Sequence, residues 1–136
     1  MDLRQLRYFI QAARRQNFRK ASEDLRIAQS ALTRQIQYLE RELGFLLFDR
    51  VKVRWQADGL SGNELYQFAS GEARRLGWEL NLDVSGHRLA DFPHEALYPG
   101  SLLEATFVPK TALWVLEIQI RHPQRPFGAF YEDLLV

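Results

Sequence analysis

Four side chains near the start of one amphipathic segment, Gln29, Ser30, Thr33 and Arg34, are of the types that can read the edges of base pairs. A glutamine carboxamide can pair bidentately with adenine, and an arginine guanidinium with O6 and N7 of guanine. A threonine methyl can touch thymine while its hydroxyl bonds a base or a phosphate. Arg19, Lys20, Lys52 and Arg54 flank them. Such cations suit phosphates, which position a protein on a duplex without specifying its sequence.

No comparable case exists for catalysis or metal binding. The chain has no cysteine, which removes disulfides, thiolate zinc sites and a cysteine nucleophile. His87, His94 and His122 lack any ligand spacing, and Asp91, His94 and Glu95 have no nucleophile motif beside them. Neither a G-x-G-x-x-G run nor a P-loop occurs. The expectation is no catalytic residue, no metal and no cofactor. Trp78, Phe92, Tyr98, Phe107, Trp114, Phe127, Phe130 and Tyr131 read as core or as a partner surface rather than as a platform for bases.

The elements that must position the reading set are helices. Asp2, with Gln5 three residues on, opens a capping box, and Leu3, Leu6, Phe9, Ile10 and Ala13 fall within about 120° of one another on a helix from Leu3 to Gln16. Asn17 caps a short helix, Phe18 to Leu25, with Phe18, Ala21 and Leu25 predicted inward. The period breaks at Arg26-Ile27-Ala28 and resumes in a new phase, the mark of a tight turn. A third helix is predicted from Gln29 to Leu43, ending at Gly44. On it Leu32, Ile36, Leu39 and Leu43 cluster within about 60°, while the reading set and Gln37 and Arg41 lie elsewhere. Val51, Val53 and Trp55 alternate with Lys52 and Arg54, predicting a short basic strand, or wing. A fourth helix is expected at 60–76, with Leu65, Phe68, Ala69 and Leu76 on one side. Beyond Gly77, residues 78–84 and 116–120 alternate like strands, punctuated by Pro93, Pro99-Gly100 and Pro109.

Charge divides the chain in the same way. Residues 1–54 hold twelve Lys and Arg against six acids, whereas the remainder holds six against eleven. A basic head on an acidic body fits binding of a polyanion. With 46% hydrophobic and 26% charged residues the chain reads as globular. The first residues do not read as a signal peptide, and no apolar run approaches a membrane span. A cytoplasmic protein with no membrane partner is expected. Three-helix amphipathic domains also serve in protein–protein interaction, so the residues alone leave both readings open.

The run Phe18-Arg19-Lys20-Ala21-Ser22-Glu23-Asp24-Leu25-Arg26-Ile27-Ala28-Gln29-Ser30-Ala31-Leu32-Thr33-Arg34-Gln35-Ile36 resembles the helix-turn-helix signature of LysR-type transcriptional regulators. Asp2 to Phe9 is similar to that family's opening, and Leu39 to Arg50 to its closing segment. The resemblance implies a mainly α fold: a winged helix-turn-helix DNA-binding domain (1–57), a linker and dimerisation helix (58–76) and a small α/β C-terminal segment (77–136). It places Gln29, Ser30, Thr33 and Arg34 at base-contacting positions and Arg50 before the wing. Ser30 stands where the family usually has proline, which removes a pre-set first-turn backbone. The wing is short, and the segment after it is Trp55-Gln56-Ala57-Asp58-Gly59. Residues 77–136 are too few for the family's two-lobed effector module. A pocket for a metabolite needs on the order of 300 Å³ or more, so no small-molecule effector is expected.

Taken together, the sequence predicts a DNA-binding transcriptional regulator that binds double-stranded DNA as a homodimer or higher oligomer through residues 60–76. The rival is an interaction protein that pairs with a full-length relative and modulates it without productive DNA binding of its own.

Overall fold

A computed structural model describes residues 2–89, 98–126 and 128–136. The elements run α1 (Leu3–Arg15), α2 (Phe18–Leu25), α3 (Gln29–Asp58), α4 (Gly62–Arg75), β1 (Glu79–Leu80), β2 (His87–Arg88), a 3₁₀ turn (Leu102–Glu104), β3 (Trp114–Arg121) and β4 (Gly128–Leu134). The fold is mainly α, with a small antiparallel sheet near the C-terminus. The chain divides into two compact units, Met1–Leu43 and Gly44–Val136.

In the first unit each short helix starts on a side chain that satisfies first-turn amides. The Gln5 N–H donates to Asp2 Oδ1 at 2.7 Å and the Asp2 N–H to Gln5 Oε1 at 3.0 Å, closing the expected box. Asn17 Oδ1 accepts from the Lys20 N–H at 3.0 Å and starts α2. The core joins Ala12, Ala21, Leu32 and Ile36, with Tyr8, Phe9, Leu25 and Ile27 packed on them. Leu39 is buried as well. The inward face of α1 is therefore Tyr8, Phe9 and Ala12. Leu3, Leu6, Ile10 and Phe18, expected inward, are exposed, because the core packs on the side of α1 that carries Tyr8, Phe9 and Ala12.

The largest difference from the sequence reading is the length of α3. The helix does not stop at Gly44 but runs to Asp58, so residues 51–55 are helical and form no wing. Leu47, Phe48, Val51 and Trp55 are all buried, a spacing that places them on one helical face. Val53, which strand alternation would group with them, is exposed. Gly44 serves close approach rather than termination: a Cβ there would lie 3.0 Å from the Phe130 carbonyl carbon. The left-handed residue that follows the helix is Gly59, with φ of 61°. Its N–H donates to the Trp55 carbonyl at 2.9 Å, a glycine stop of the ordinary kind.

Ser61 and Glu64 form a second capping box that starts α4. Leu65, Tyr66, Ala69 and Ala73 of α4 are buried in the second unit. A Cβ on Gly62 would collide with the Leu102 carbonyl, so the helix start lies directly against the 3₁₀ turn. Leu65 and Ala69, expected to meet a second chain, are thus already covered by their own unit. Leu76 stays exposed.

In the sheet, β3 pairs with β4 from Val115↔Leu134 to Arg121↔Gly128. Its other side is shared by β1 (Leu80↔Ile120) and β2 (His87↔Val115). Trp114, Leu116, Ile118 and Ile120 are buried at period two. Tyr131, opposite Ile118, sets its ring edge-on to Phe45 and Phe48 at 5.1 and 5.0 Å. The strand expected over 78–84 is only two residues long because the chain turns at Leu82–Asp83.

Candidate nucleic-acid interface

The turn between α2 and α3 is built without glycine. Arg26 takes the left-handed conformation at φ 56°. Its N–H donates to the Glu23 carbonyl at 3.1 Å, and the Ile27 N–H donates to the Ser22 carbonyl at 3.1 Å. This pair of bonds is the Schellman closure, and Ile27 drops into the core behind it. Asp24 at the end of α2 accepts from Gln11 at 2.7 Å and from Arg15, which ties α2 to α1. Those bonds, Arg15 first and Gln11 second, hold the Asp24 carboxyl below its ordinary range. Gln5 reaches Gln35 on α3 at 3.2 Å. All three helices are therefore braced by side chains as well as by core.

The turn delivers α3 with two distinct faces. Leu32, Ile36 and Leu39 are buried, whereas Gln29, Ser30, Arg34 and Gln37 are exposed and Thr33 is half-buried. Ala28, at the cap position, has no side-chain oxygen to offer. The first-turn amides of α3 are thus left to solvent or to an anion such as a phosphate. Among the described residues Arg34 and Lys20 have no carboxylate partner. Arg19, the second residue of α2, pairs loosely with Glu23 at 3.4 Å, both side chains exposed. Six of the nine residues singled out from the sequence, Arg19, Lys20, Gln29, Ser30, Thr33 and Arg34, lie in the first unit on α2 and the first turns of α3.

The other three, Arg50, Lys52 and Arg54, belong to the second unit on α3. Arg50 pairs with Glu72 at 3.0 Å, and Glu72 also receives two bonds from Arg75. The Glu72 carboxyl is held low first by its hydrogen bond to Arg75 and further by the charges of Arg50 and Arg75. Arg54 pairs with Asp58 one turn on and lies 5.5 Å over the Phe68 ring. Lys52 is half-buried. Nothing in the charge pattern separated these partnered cations from the free ones, although the Arg54–Asp58 spacing of four was a helix signal.

His87 Nδ1 is 3.3 Å from Glu117 and His122 lies edge-on to Trp78 at 5.9 Å. Asp91, Phe92, Pro93, His94, Glu95 and Phe127 fall outside the described residues. Among the described residues no group of three His, Cys, Asp or Glu could hold a metal ion. No helix is long and apolar enough to cross a membrane among them.

Residues 3–57 match the family described as "Bacterial regulatory helix-turn-helix protein, lysR family". The chain is similar to the probable cat1 operon transcriptional activator of Acinetobacter lwoffii, 56% identical over 124 residues, which is 89% of this chain and 37% of that protein. It is also similar to the HTH-type transcriptional regulator BsdA of Bacillus subtilis, 54% identical over 52 residues, 38% of this chain and 18% of the relative. The HTH-type transcriptional regulator BenM of Acinetobacter baylyi is 54% identical over 50 residues, 37% of this chain and 16% of its own length. The chain therefore spans little more than a third of these relatives at most. No solved structure matches it.

Proposed function

We propose that residues 3–57, which match the lysR family of regulatory helix-turn-helix proteins, form a DNA-reading domain, and that the protein regulates transcription by sequence-specific binding to double-stranded DNA. The observation that carries the proposal is the two-faced start of α3. Gln29, Ser30 and Arg34 are exposed, with Thr33 half-buried beside them, on the side of the helix away from Leu32 and Ile36 in the core. Inserted in a major groove, such a helix brings its N-terminal residues to base edges while the preceding helix lies across the backbone. Arg34 and Gln29 then supply base readout, and Thr33 and Ser30 add short hydroxyl contacts. Lys20 and Arg19 supply phosphate contacts from α2, and Lys52 a further one from α3. Arg50 and Arg54 serve chiefly as intramolecular ion-pair partners.

One helix-turn-helix makes few base contacts, and pairing two chains on half-sites about one helical turn apart doubles them. The protein acts in this reading as a cytoplasmic homodimer and performs no catalysis. Selection from a random-sequence duplex library, followed by gel shift with excess competitor, tests the proposal. Enrichment of an interrupted inverted repeat is expected. A chain that binds no duplex alone and shifts DNA only beside a full-length relative would overturn it in favour of the pairing role.

A further inference from the structure

The first unit holds α1, α2 and the start of α3, and α1 is tied to the other two by polar side chains as well as by the core. On α2, Asp24 Oδ2 accepts a bond from Gln11 Nε2 at 2.7 Å and pairs with Arg15 Nε. On α3, Gln35 Oε1 accepts from Gln5 Nε2 at 3.2 Å. Gln5, Gln11 and Arg15 all belong to α1. That helix carries none of the base-reading set, so it serves as the frame to which the reading pair α2 and α3 is fastened.

The tie at Asp24 falls where little else fixes the chain. α2 has eight residues, and a helix that short has little stability of its own. Its start is held by the two-residue link from α1. The apolar side chain that each helix buries is an alanine, Ala12 on α1 and Ala21 on α2. A methyl group lets two helices approach but offers little to interlock, so a pivot of α2 about the link meets little steric resistance. Asp24 stands near the other end of α2, two residues before Arg26, whose left-handed backbone turns the chain into α3. A pivot of α2 is therefore carried into the direction of α3, and with it Gln29 and Arg34.

We propose that Asp24 is a positioning residue for base readout: held by Gln11 and Arg15, it fixes the end of α2 and so the angle at which α3 enters the groove. The role rests on the DNA-binding reading given above. The side chains of Arg15 and Asp24 are 51% and 34% exposed, and an exposed pair favours one arrangement over another by a factor of about five at most. That factor bounds the effect, since losing the pair lowers the population of the binding-competent orientation by no more. The sign of the effect identifies it. Asp24 is an acid in the unit assigned to a polyanion, so electrostatics alone predicts that removing it strengthens binding to every duplex.

Fluorescence anisotropy of the full chain on the duplex selected from the random library, and on a shuffled duplex of equal length, gives the ratio of the two affinities. Asp24→Ala should lower that ratio about three- to fivefold, with binding to the shuffled duplex unchanged or stronger. Arg15→Asp combined with Asp24→Arg, which reverses the pair at constant net charge, should restore it. Glu23→Ala removes the neighbouring acid, whose pair is with Arg19 on α2 itself; it should tighten both duplexes and leave the ratio as it is. The chain has no cysteine, so nitroxides on Arg14→Cys and Gln37→Cys report the α1–α3 distance without DNA. Asp24→Ala should broaden that distance distribution and the reversed pair narrow it again. An unchanged ratio in Asp24→Ala, an equal fall in Glu23→Ala, an equally narrow distance distribution, or helix lost by circular dichroism in Asp24→Ala would each overturn the proposal. A parent chain that selects no duplex overturns the reading of α3 and this role with it, a failure distinct from an unchanged ratio.

Discussion

Leu32 and Arg34 stand two residues apart on α3 and face opposite surroundings, so truncating each in turn separates the two roles assigned to the helix. Leu32 is fully buried against Ala12, Ala21 and Ile36. Leu32→Ala removes three carbons, a transfer loss of about 2.4 kcal/mol at roughly 0.8 kcal/mol per carbon. The cavity left behind raises the total to about 3–5 kcal/mol. That is a large share of the roughly 5–15 kcal/mol by which a domain is stable. Arg34 is exposed and has no carboxylate partner among the described residues, so Arg34→Ala should change stability by no more than about 0.5 kcal/mol. On DNA the order reverses. Losing a bidentate arginine contact costs about 1–3 kcal/mol, roughly 5- to 150-fold in affinity, and relaxes preference at one base pair per half-site. Urea unfolding followed by circular dichroism measures the first quantity. Fluorescence anisotropy on the selected duplex and on a shuffled duplex of equal length measures the second. The reasoning fails if Arg34→Ala destabilises the chain as much as Leu32→Ala does. It fails equally if Arg34→Ala leaves both affinity and sequence preference intact.

Lys20→Ala should weaken binding to selected and shuffled duplexes alike and reduce the log–log salt slope by about 0.9, while Arg54→Ala, which breaks a pair with Asp58, should change the slope less. Anisotropy titrations across salt concentrations check both. The Asp24 carboxyl is held below its ordinary value of 3.8 by Arg15 and Gln11, so its stabilisation is present above that value and lost as pH falls through the folded one. Thermal melts between about pH 2 and 6 should therefore show a shallower acid limb for Asp24→Asn. Val53→Pro tests the length of α3: inside a continuous helix it should destabilise the second unit by about 3 kcal/mol or more, whereas an exposed wing strand would tolerate it. Urea unfolding decides which.

The first unit was legible because its signals are local. Asp2 with Gln5 and Asn17 with the Lys20 amide are start signals that act within one turn, and the structure shows both as hydrogen bonds. The turn at Arg26 was detectable only as a phase break, since its left-handed residue is not a glycine. The stripe on α1 was misjudged at Leu3, Leu6 and Ile10, because periodicity reports that a face is apolar without reporting what covers it. The second unit was much less legible. Gly44 looked like a stop, and nothing near it in sequence reveals that Phe130 and Tyr131 come against it. β4 carries Glu132 and Asp133 and no clean alternation, and its register on β3 is fixed by partners elsewhere in the chain.

The same distinction governs the cations. Arginines at 34, 50 and 54 are equivalent in a count of charge, yet Arg50 is neutralised by a residue twenty-two positions away and Arg54 by one on the next turn. A nearby carboxylate lowers the positive potential that such a cation presents to a phosphate, although an exposed pair itself contributes little. In the proposed reading, polyanion binding falls mainly to Met1–Leu43, which holds nine basic residues and five acids. Two of those acids, Asp24 and Glu23, are held by Arg15 and Arg19. Arg7, Arg14, Lys20, Arg26, Arg34 and Arg41 remain without a carboxylate partner among the described residues. They set the upper limit on phosphate contacts per first unit. A measured salt slope greater than six such contacts per chain would require the second unit to take part, with Lys52 as the first residue to test.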